Sequence, residues 1–299
     1  MKYPLVSILM PVFRYPSYFQ HALKSVLLQT YPNLEIIIHD NTAGDEVKRL
    51  VEKEFLPYSD KIIYYRNNRP FPRLAVFHQL YDEANGEFIN YLMEEDFFYP
   101  TKIERMVKFF INDTAKNIKL VTSYRQPIDW NGNKIPDLIF TAKRHPYDSI
   151  IDGISLGDSM IAESNWIGEP TTVLFRKSDL IEPFGQFGGY QFKLSYDMGS
   201  WLTLLSQGKG VYIADALSFV RIHPQRNDWA SRIDSLSDLM HLITFSPAKG
   251  FLKNSSTRQK FKSDIHQYID SILSDQLNPP TMDETIYLLQ CKNNLDRVQ

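Results

Sequence analysis

Leu34-Glu35-Ile36-Ile37-Ile38-His39-Asp40-Asn41 decides the fold class. Leu34 to Ile38 is a short apolar run, the mark of a parallel strand buried on both faces. It ends in polar residues that can face a ligand. Upstream, Val6 to Met10 is a second such run, stopped by Pro11. Between them, Ser17-Tyr18-Phe19-Gln20 has the pattern of a capping box, and Ala22, Leu23, Val26 and Leu27 share one helical face. Downstream the alternation continues. Asp45–Phe55 reads as a helix, Ile62–Tyr65 as a strand, Leu74–Ala84 as a helix and Glu87–Met93 as a strand. Thr101-Lys102-Ile103-Glu104 is a second capping-box pattern, opening a helix to Ile111, and Leu120–Ser123 is a fifth strand. Strands alternating with helices at this spacing predict βαβ units and an α/β fold on a mostly parallel sheet. Ligands of such sheets bind beyond the carboxyl ends of the strands.

The middle of the chain is less regular. Trp130-Asn131-Gly132-Asn133 signals a turn in a hairpin. Thr172–Phe175, Val211–Ile213 and Leu217–Ile222 read as strands, and Asp197–Gln207 as a helix. From about Ala230 the pattern becomes helical throughout, with Ile233, Leu236, Met240 and Ile243 on one stripe and Phe261, Ile265, Tyr268, Ile269 and Ile272 on another. Residues 1–230 are therefore read as the α/β domain and 231–299 as a helical appendage. Basic Arg258, Lys260 and Lys262 are offset by Asp264, Asp270 and Asp275, which favours packing on its own domain or a second copy over a membrane surface.

The 299 residues are 43% hydrophobic, enough for a sizeable core, and 33 basic against 35 acidic residues argue against binding nucleic acid through a bulk basic field. Cys291 is the single cysteine, which excludes an intrachain disulfide and fits a reducing, cytoplasmic compartment. The sequence has no G-x-G-x-x-G, no G-x-x-x-x-G-K-[ST] and no H-E-x-x-H. Dinucleotide, P-loop and protease-zinc readings lose their support.

Acidic residues sit where strands end. Glu94-Glu95-Asp96 follows an apolar strand, and three adjacent carboxylates repel unless compensated. A divalent cation would compensate them, since Mg²⁺ and Mn²⁺ favour carboxylate and phosphate oxygens. A solvated acidic turn is the plain alternative. Asp197 opens a helix, where it is either an N-cap or a base. His223, in Arg221-Ile222-His223-Pro224, is either a ligand or an ordinary hydrogen-bonded imidazole, and Asp40 either a ligand contact or a turn residue.

Val6-Ser7-Ile8-Leu9-Met10-Pro11-Val12-Phe13 together with Gln29-Thr30-Tyr31-Pro32-Asn33-Leu34-Glu35-Ile36 resembles family 2 glycosyltransferases of the GT-A fold. Ala84-Asn85-Gly86-Glu87-Phe88-Ile89 and the acidic run after it are similar to the family's strand and metal-binding D-x-D. Tyr196-Asp197 with Trp201-Leu202 resembles the acidic pair and helix that carry the base, and Arg221-Ile222-His223 a recurrent R-x-H. The resemblance covers about residues 3–228. It departs from the family at Met93, which stands at the first Asp of the D-x-D, at Glu95, which replaces its second, and at His39, Phe77 and His78.

The resemblance implies a GT-A domain, nucleotide contacts from Pro11, Phe13, Asp40, Arg73 and Glu94, and Mn²⁺ or Mg²⁺ held by Glu95, Asp96 and His223. Asp197 is implied as the general base of an inverting transfer. The donor would be a nucleotide sugar, UDP-sugar favoured, and the acceptor a hydroxyl on a glycan, lipid or protein, in bacterial surface-glycan or glycoconjugate synthesis. Arg66 and Arg69, beside Arg73, can supply positive charge or form a solvated basic loop. Acceptor contacts are expected in Asp148–Glu169. A catalytically silent GT-A domain that binds nucleotide sugar or glycan is the alternative from another class. Homo-oligomerisation and contact with the inner membrane face stay open.

Overall fold

The computed structural model describes residues 3–222 and 231–298. Its sheet begins β1 (Val6–Val12), β2 (Leu34–Asp40), β3 (Ile62–Arg66) and β4 (Phe88–Tyr91), separated by α1 (Pro16–Leu27), α2 (Glu46–Glu54) and α3 (Arg73–Glu83). Then follow β5 (Phe97–Phe98), α4 (Lys102–Asn112), β6 (Ile118–Ile128), β7 (Ser149–Asp152), α5 (Gly153–Glu163) and β8 (Leu174–Arg176). A small hairpin, β9 (Gln186–Phe187) and β10 (Tyr190–Gln191), precedes α6 (Tyr196–Leu205) and β11 (Lys209–Arg221). Three helices, α7 (Ser231–Phe245), α8 (Ser255–Leu273) and α9 (Met282–Arg297), follow among the described residues. The main sheet runs in the order β3-β2-β1-β4-β8-β6-β11-β5, with β7 on β11. β1 to β4 are mutually parallel, as are β6 and β11, while β8 runs antiparallel between β4 and β6.

Alternation along β1 divides the core. Val6, Ile8, Met10 and Val12 join Ile36, Ile38 and Phe88 on one face of the sheet. Leu9, Ile37, Ile89 and Tyr91 face the other way, into a cluster that also contains Trp201, Phe187, Leu236, Ile243, Phe261, Ile265 and Leu288. The C-terminal helices thus complete the second face of the sheet domain's own core. No helix among the described residues is long and apolar enough to cross a membrane.

Several local expectations change. β1 runs through Pro11 to Val12. Its pairing with β4 ends at Leu9 opposite Tyr91, so the missing Pro11 N–H points past the neighbouring strand and no ladder bond is lost. Neither N-terminal capping-box pattern forms. α1 starts at Pro16, which places Ser17 inside the first turn, and Gln20 bonds Glu54 instead. At α4, Gln29 Oε1 accepts the Ile103 N–H while Glu104 accepts from Thr30 and Lys108. A capping box does form at Thr281–Glu284, opening α9. The two strands read around residues 211–222 are one strand, β11, irregular at Ala216. The turn at Trp130–Asn133 is closed by Asp129, whose Oδ1 accepts from Asn131 and Asn133 N–H, with Ile128 bridging Lys134.

Candidate active site

β1 lies between β2 and β4, so the chain crosses to opposite sides at this point, the kind of switch point at which ligands of open α/β sheets bind. The loops after β1 and β4 meet there. Phe13, Arg14 and Tyr15 donate their backbone N–H groups to the Glu94 carboxylate at 2.9, 3.1 and 3.3 Å. These N–H groups precede α1, where a negative charge is favoured. Burial raises the Glu94 pKa, while the three N–H bonds oppose the rise. The sequence reading places Glu94 against the nucleotide. Its carboxylate shapes the loop that carries Phe13.

Asp96 is buried too. Its oxygens accept from Thr171 Oγ1 at 2.6 Å and Arg221 N at 3.0 Å, and burial pushes its pKa to about 8. Of the three consecutive acids only Glu95 reaches the surface. The sequence reading of Asp96 as a metal ligand meets a carboxyl already bound on both oxygens. Arg221 fixes the turn from beneath, donating Nε to Glu95 O at 3.1 Å and Nη1 to Asp129 O and Trp130 O at 2.8 Å each. Its guanidinium lies 4.2 Å from the Tyr18 ring centroid, next to edge-on Tyr15 and Trp130.

Asp40 ends β2 as expected, but it is wholly buried. Oδ1 accepts from Thr42 N and Oγ1, Oδ2 accepts from Tyr64 OH at 2.7 Å, and Arg66 Nε is 3.9 Å away. It ties the ends of β2 and β3 together. Pro11 is buried inside β1 opposite His39. Phe13 and Arg73, also expected to contact the nucleotide, lie against each other at the surface. Both are half-buried, with the Arg73 guanidinium 4.8 Å from the Phe13 ring centroid. Arg73 opens α3 and lies near enough to Tyr196 for its charge to lower the phenol's pKa against the rise that burial imposes.

Tyr196 leads to Asp197, in the first turn of α6. Asp197 Oδ2 accepts from Asn165 Nδ2 at 2.8 Å and Oδ1 from Met198 N at 2.8 Å. Desolvation pushes its pKa up to about 7, with Glu169 adding to the rise and Arg125 opposing it. Glu169 is paired with buried Arg125 at 2.7 Å and lies within electrostatic reach of both Asp96 and Asp197. Asn165 and Glu169 carry no motif in the sequence. The only signal for them is their position in the Asp148–Glu169 segment, which also contains Gly168, whose φ of +114° suits glycine. His223 lies outside the described residues.

Among the described residues no group of three or more His, Cys, Asp or Glu side chains is poised around a cation. Of the acidic run, Glu95 is the carboxylate that reaches the surface. That fits Mg²⁺ or Mn²⁺ when a substrate diphosphate brings the other oxygens, since such cations are commonly bound by one or two carboxylates plus phosphates.

A family model described as glycosyl transferase family 2 matches residues 7–182. An uncharacterized glycosyltransferase of Rickettsia typhi is 23% identical over 277 residues, covering 90% of this chain and 79% of that protein. Another, of Rickettsia bellii, is 30% identical over 146 residues, which are 48% of this chain but 21% of that longer protein. The crystal structure of S. aureus TarS 1-349 in complex with UDP-GlcNAc superposes with a TM-score of 0.66 at 12% identity, over 99% of this chain and 81% of that one. At that identity the likeness speaks for the fold, a curled sheet with helices on both sides. More than half of the sequence lies within the matched model, and the chain therefore belongs to glycosyl transferase family 2, as a glycosyltransferase built on the GT-A fold.

Proposed function

We propose that the protein transfers a sugar from a nucleoside-diphosphate donor, a UDP-sugar by preference, to a hydroxyl acceptor in one inverting displacement. One observation carries this reading: Asp197 stands in the first turn of α6, directly after the Tyr196 that Arg73 acts on, and desolvation raises its pKa to about 7. A general base works best with a pKa close to the operating pH. Asp197 takes the acceptor hydroxyl's proton as that oxygen bonds to the anomeric carbon. The carbon–oxygen bond to the diphosphate breaks on the opposite side, and its electron pair leaves with the diphosphate. Asn165 fixes the orientation of Asp197, and Arg73 places positive charge beside the nucleotide. Phe13 offers a ring face to the nucleoside. When bound, a divalent cation on Glu95 neutralises charge on the departing diphosphate. The fold shared with a protein crystallised with UDP-GlcNAc supports the donor class, and bacterial surface-glycan synthesis is the proposed setting.

Asp40 can meet a pyrimidine N3–H only by exchanging the Tyr64 or Thr42 hydroxyl for it. Cytosine lacks that proton: Asp40 then keeps its Tyr64 and Thr42 hydroxyls, and the base's own N3 acceptor is left unpaired against a carboxylate, at about 1–3 kcal/mol. UDP is therefore expected to bind more tightly than CDP by roughly tenfold or more. Thermal unfolding with UDP, CDP and GDP reads this directly, because a ligand at 100 times its Kd stabilises by about 2.7 kcal/mol. Equal shifts with UDP and CDP would remove the uracil preference, and no shift with any nucleotide or nucleotide sugar would overturn the function.

The cation has its own test. Mn²⁺ or Mg²⁺ is expected to tighten UDP binding, and Glu95→Ala to abolish that gain while metal-free binding persists. Identical UDP affinity in Mn²⁺ and in EDTA would assign the neutralising charge to Arg73 and its neighbours.

A further inference from the structure

Residues 192–195 join the small hairpin to α6 without regular structure, yet they set where the first turn of α6 begins. Ser195, the N-cap, gives no side-chain cap to that turn. The stretch is held from outside, by α7. Asp238 is 2% exposed. Its Oδ1 accepts from Lys193 N at 2.9 Å and Tyr190 OH at 3.1 Å, and its Oδ2 from Leu194 N at 3.1 Å and Ser195 N at 3.3 Å. Four donors converge on one buried carboxylate, three of them consecutive backbone N–H groups. Bonds to an ionised acceptor are about twice as strong as neutral ones.

The same helix grips the hairpin beside this stretch. His241 Nε2 lies 2.9 Å from Phe187 O, and its ring stacks on Tyr190 with centroids 4.4 Å apart. Gly188, at φ +66°, backs onto Phe245 so closely that a Cβ there would collide with the ring. Lys193 Nζ pairs with Asp234 at 3.1 Å. Asp197 comes two residues after the last N–H that Asp238 holds.

We propose that Asp238 is a positioning residue for the transfer reaction: from the C-terminal helices it fixes the stretch leading into α6 and so aims Asp197 at the acceptor. The inference rests on Asp197 being the base. It gives the appendage a part in turnover besides covering apolar surface. In Asp238→Asn the amide nitrogen turns a donor toward N–H groups that are donors themselves, so one half of the clamp opens. A displacement of about 1 Å at a reacting group can cost on the order of 100-fold in rate.

The experiment compares the full-length protein, Asp238→Asn, Tyr190→Phe and Asp197→Asn, using transfer from a UDP-sugar, UDP affinity and pH–rate profiles. Asp238→Asn is expected to lower kcat about 10- to 100-fold with UDP affinity within about twofold of the parent. The acid limb of its profile is expected to move to lower pH, because a loosened first turn admits water to Asp197 while Glu169, Arg125 and Asn165 stay in place. Tyr190→Phe deletes one of the four bonds and is expected to lower kcat about 2- to 10-fold. A folded Asp238→Asn with parental kcat and acid limb overturns the inference. Should Asp238→Asn not fold, parental kcat and acid limb in Tyr190→Phe overturn it. If Asp197→Asn has lost turnover in that comparison, the base assignment stands and only the clamp falls. If Asp197→Asn keeps turnover, both fall together.

Discussion

Asp197→Asn is expected to lower transfer by about 10²–10⁴ while UDP affinity and the melting temperature stay close to those of the parent. The amide keeps the size of the carboxylate and can still accept the Met198 N–H, but it cannot take a proton. The pH profile follows from the same residue. Burial lifts the Asp197 pKa to about 7, so the basic, competent form is lost as pH falls through that value. The rate should rise from pH 6 to pH 8 with a limb near 7, well above the usual carboxylate range. The limb should vanish in Asp197→Asn, whose residual rate should be flat. Near-parental turnover in the mutant would remove Asp197 from the role, and a parental limb close to 4 would show that burial does not raise its pKa. The sign of the stability effect is opposite. A carboxyl whose pKa is raised by folding carries its charge at a cost once the pH exceeds the unfolded value, so Asp197 adds no stability at pH 8.

Ending the chain at residue 230 is expected to destroy cooperative folding. α7 and the turn after it cover the small hairpin, with Phe187 5.6 Å from Phe245 and 5.9 Å from Phe251 between ring centroids. Gly157 of α5 backs onto the Phe251 ring, and the Leu252 N–H donates to Asp158 at 2.6 Å. Exposing one fully buried large apolar side chain costs about 1.5–3 kcal/mol. Several are uncovered at once, against a total stability of about 5–15 kcal/mol for an ordinary domain. Near-ultraviolet circular dichroism should lose its fine structure and thermal unfolding its sharp midpoint. A truncated chain that melts cooperatively at the parental temperature would show that the helices are dispensable for the core.

The sequence told β1 to β4 and their helices from one another because each is a short apolar run followed by a 3.6-periodic stripe. Such periodicity reflects burial on one or two faces and survives without knowledge of the partner. It also placed Asp40, Glu94, Glu95 and Asp96 at strand ends and Asp197 at the start of a helix, since order along the chain fixes those positions. The resemblance carried by the Gln29–Ile36 stretch and the Ala84–Ile89 strand reached the family, which the match over residues 7–182 bears out.

Which acid faces outward was decided only in three dimensions. Glu94, Glu95 and Asp96 are adjacent and chemically alike, yet Glu94 meets the N–H groups of residues 13–15 and Asp96 meets Thr171 and Arg221. Those partners come from distant parts of the chain, and no local pattern encodes their arrival. The same holds for Asp40, closed off by Tyr64 from the next strand, and for Asn165 and Glu169, which reach Asp197 from an irregular loop. It holds most for the helical tail. Its stripes announce a buried face, but a stripe does not say what covers it. Asp238 reads as one more acid on a helix until folding brings four donors to it. Propensity and periodicity are properties of neighbours in sequence, whereas hydrogen-bond satisfaction and desolvation depend on neighbours in space.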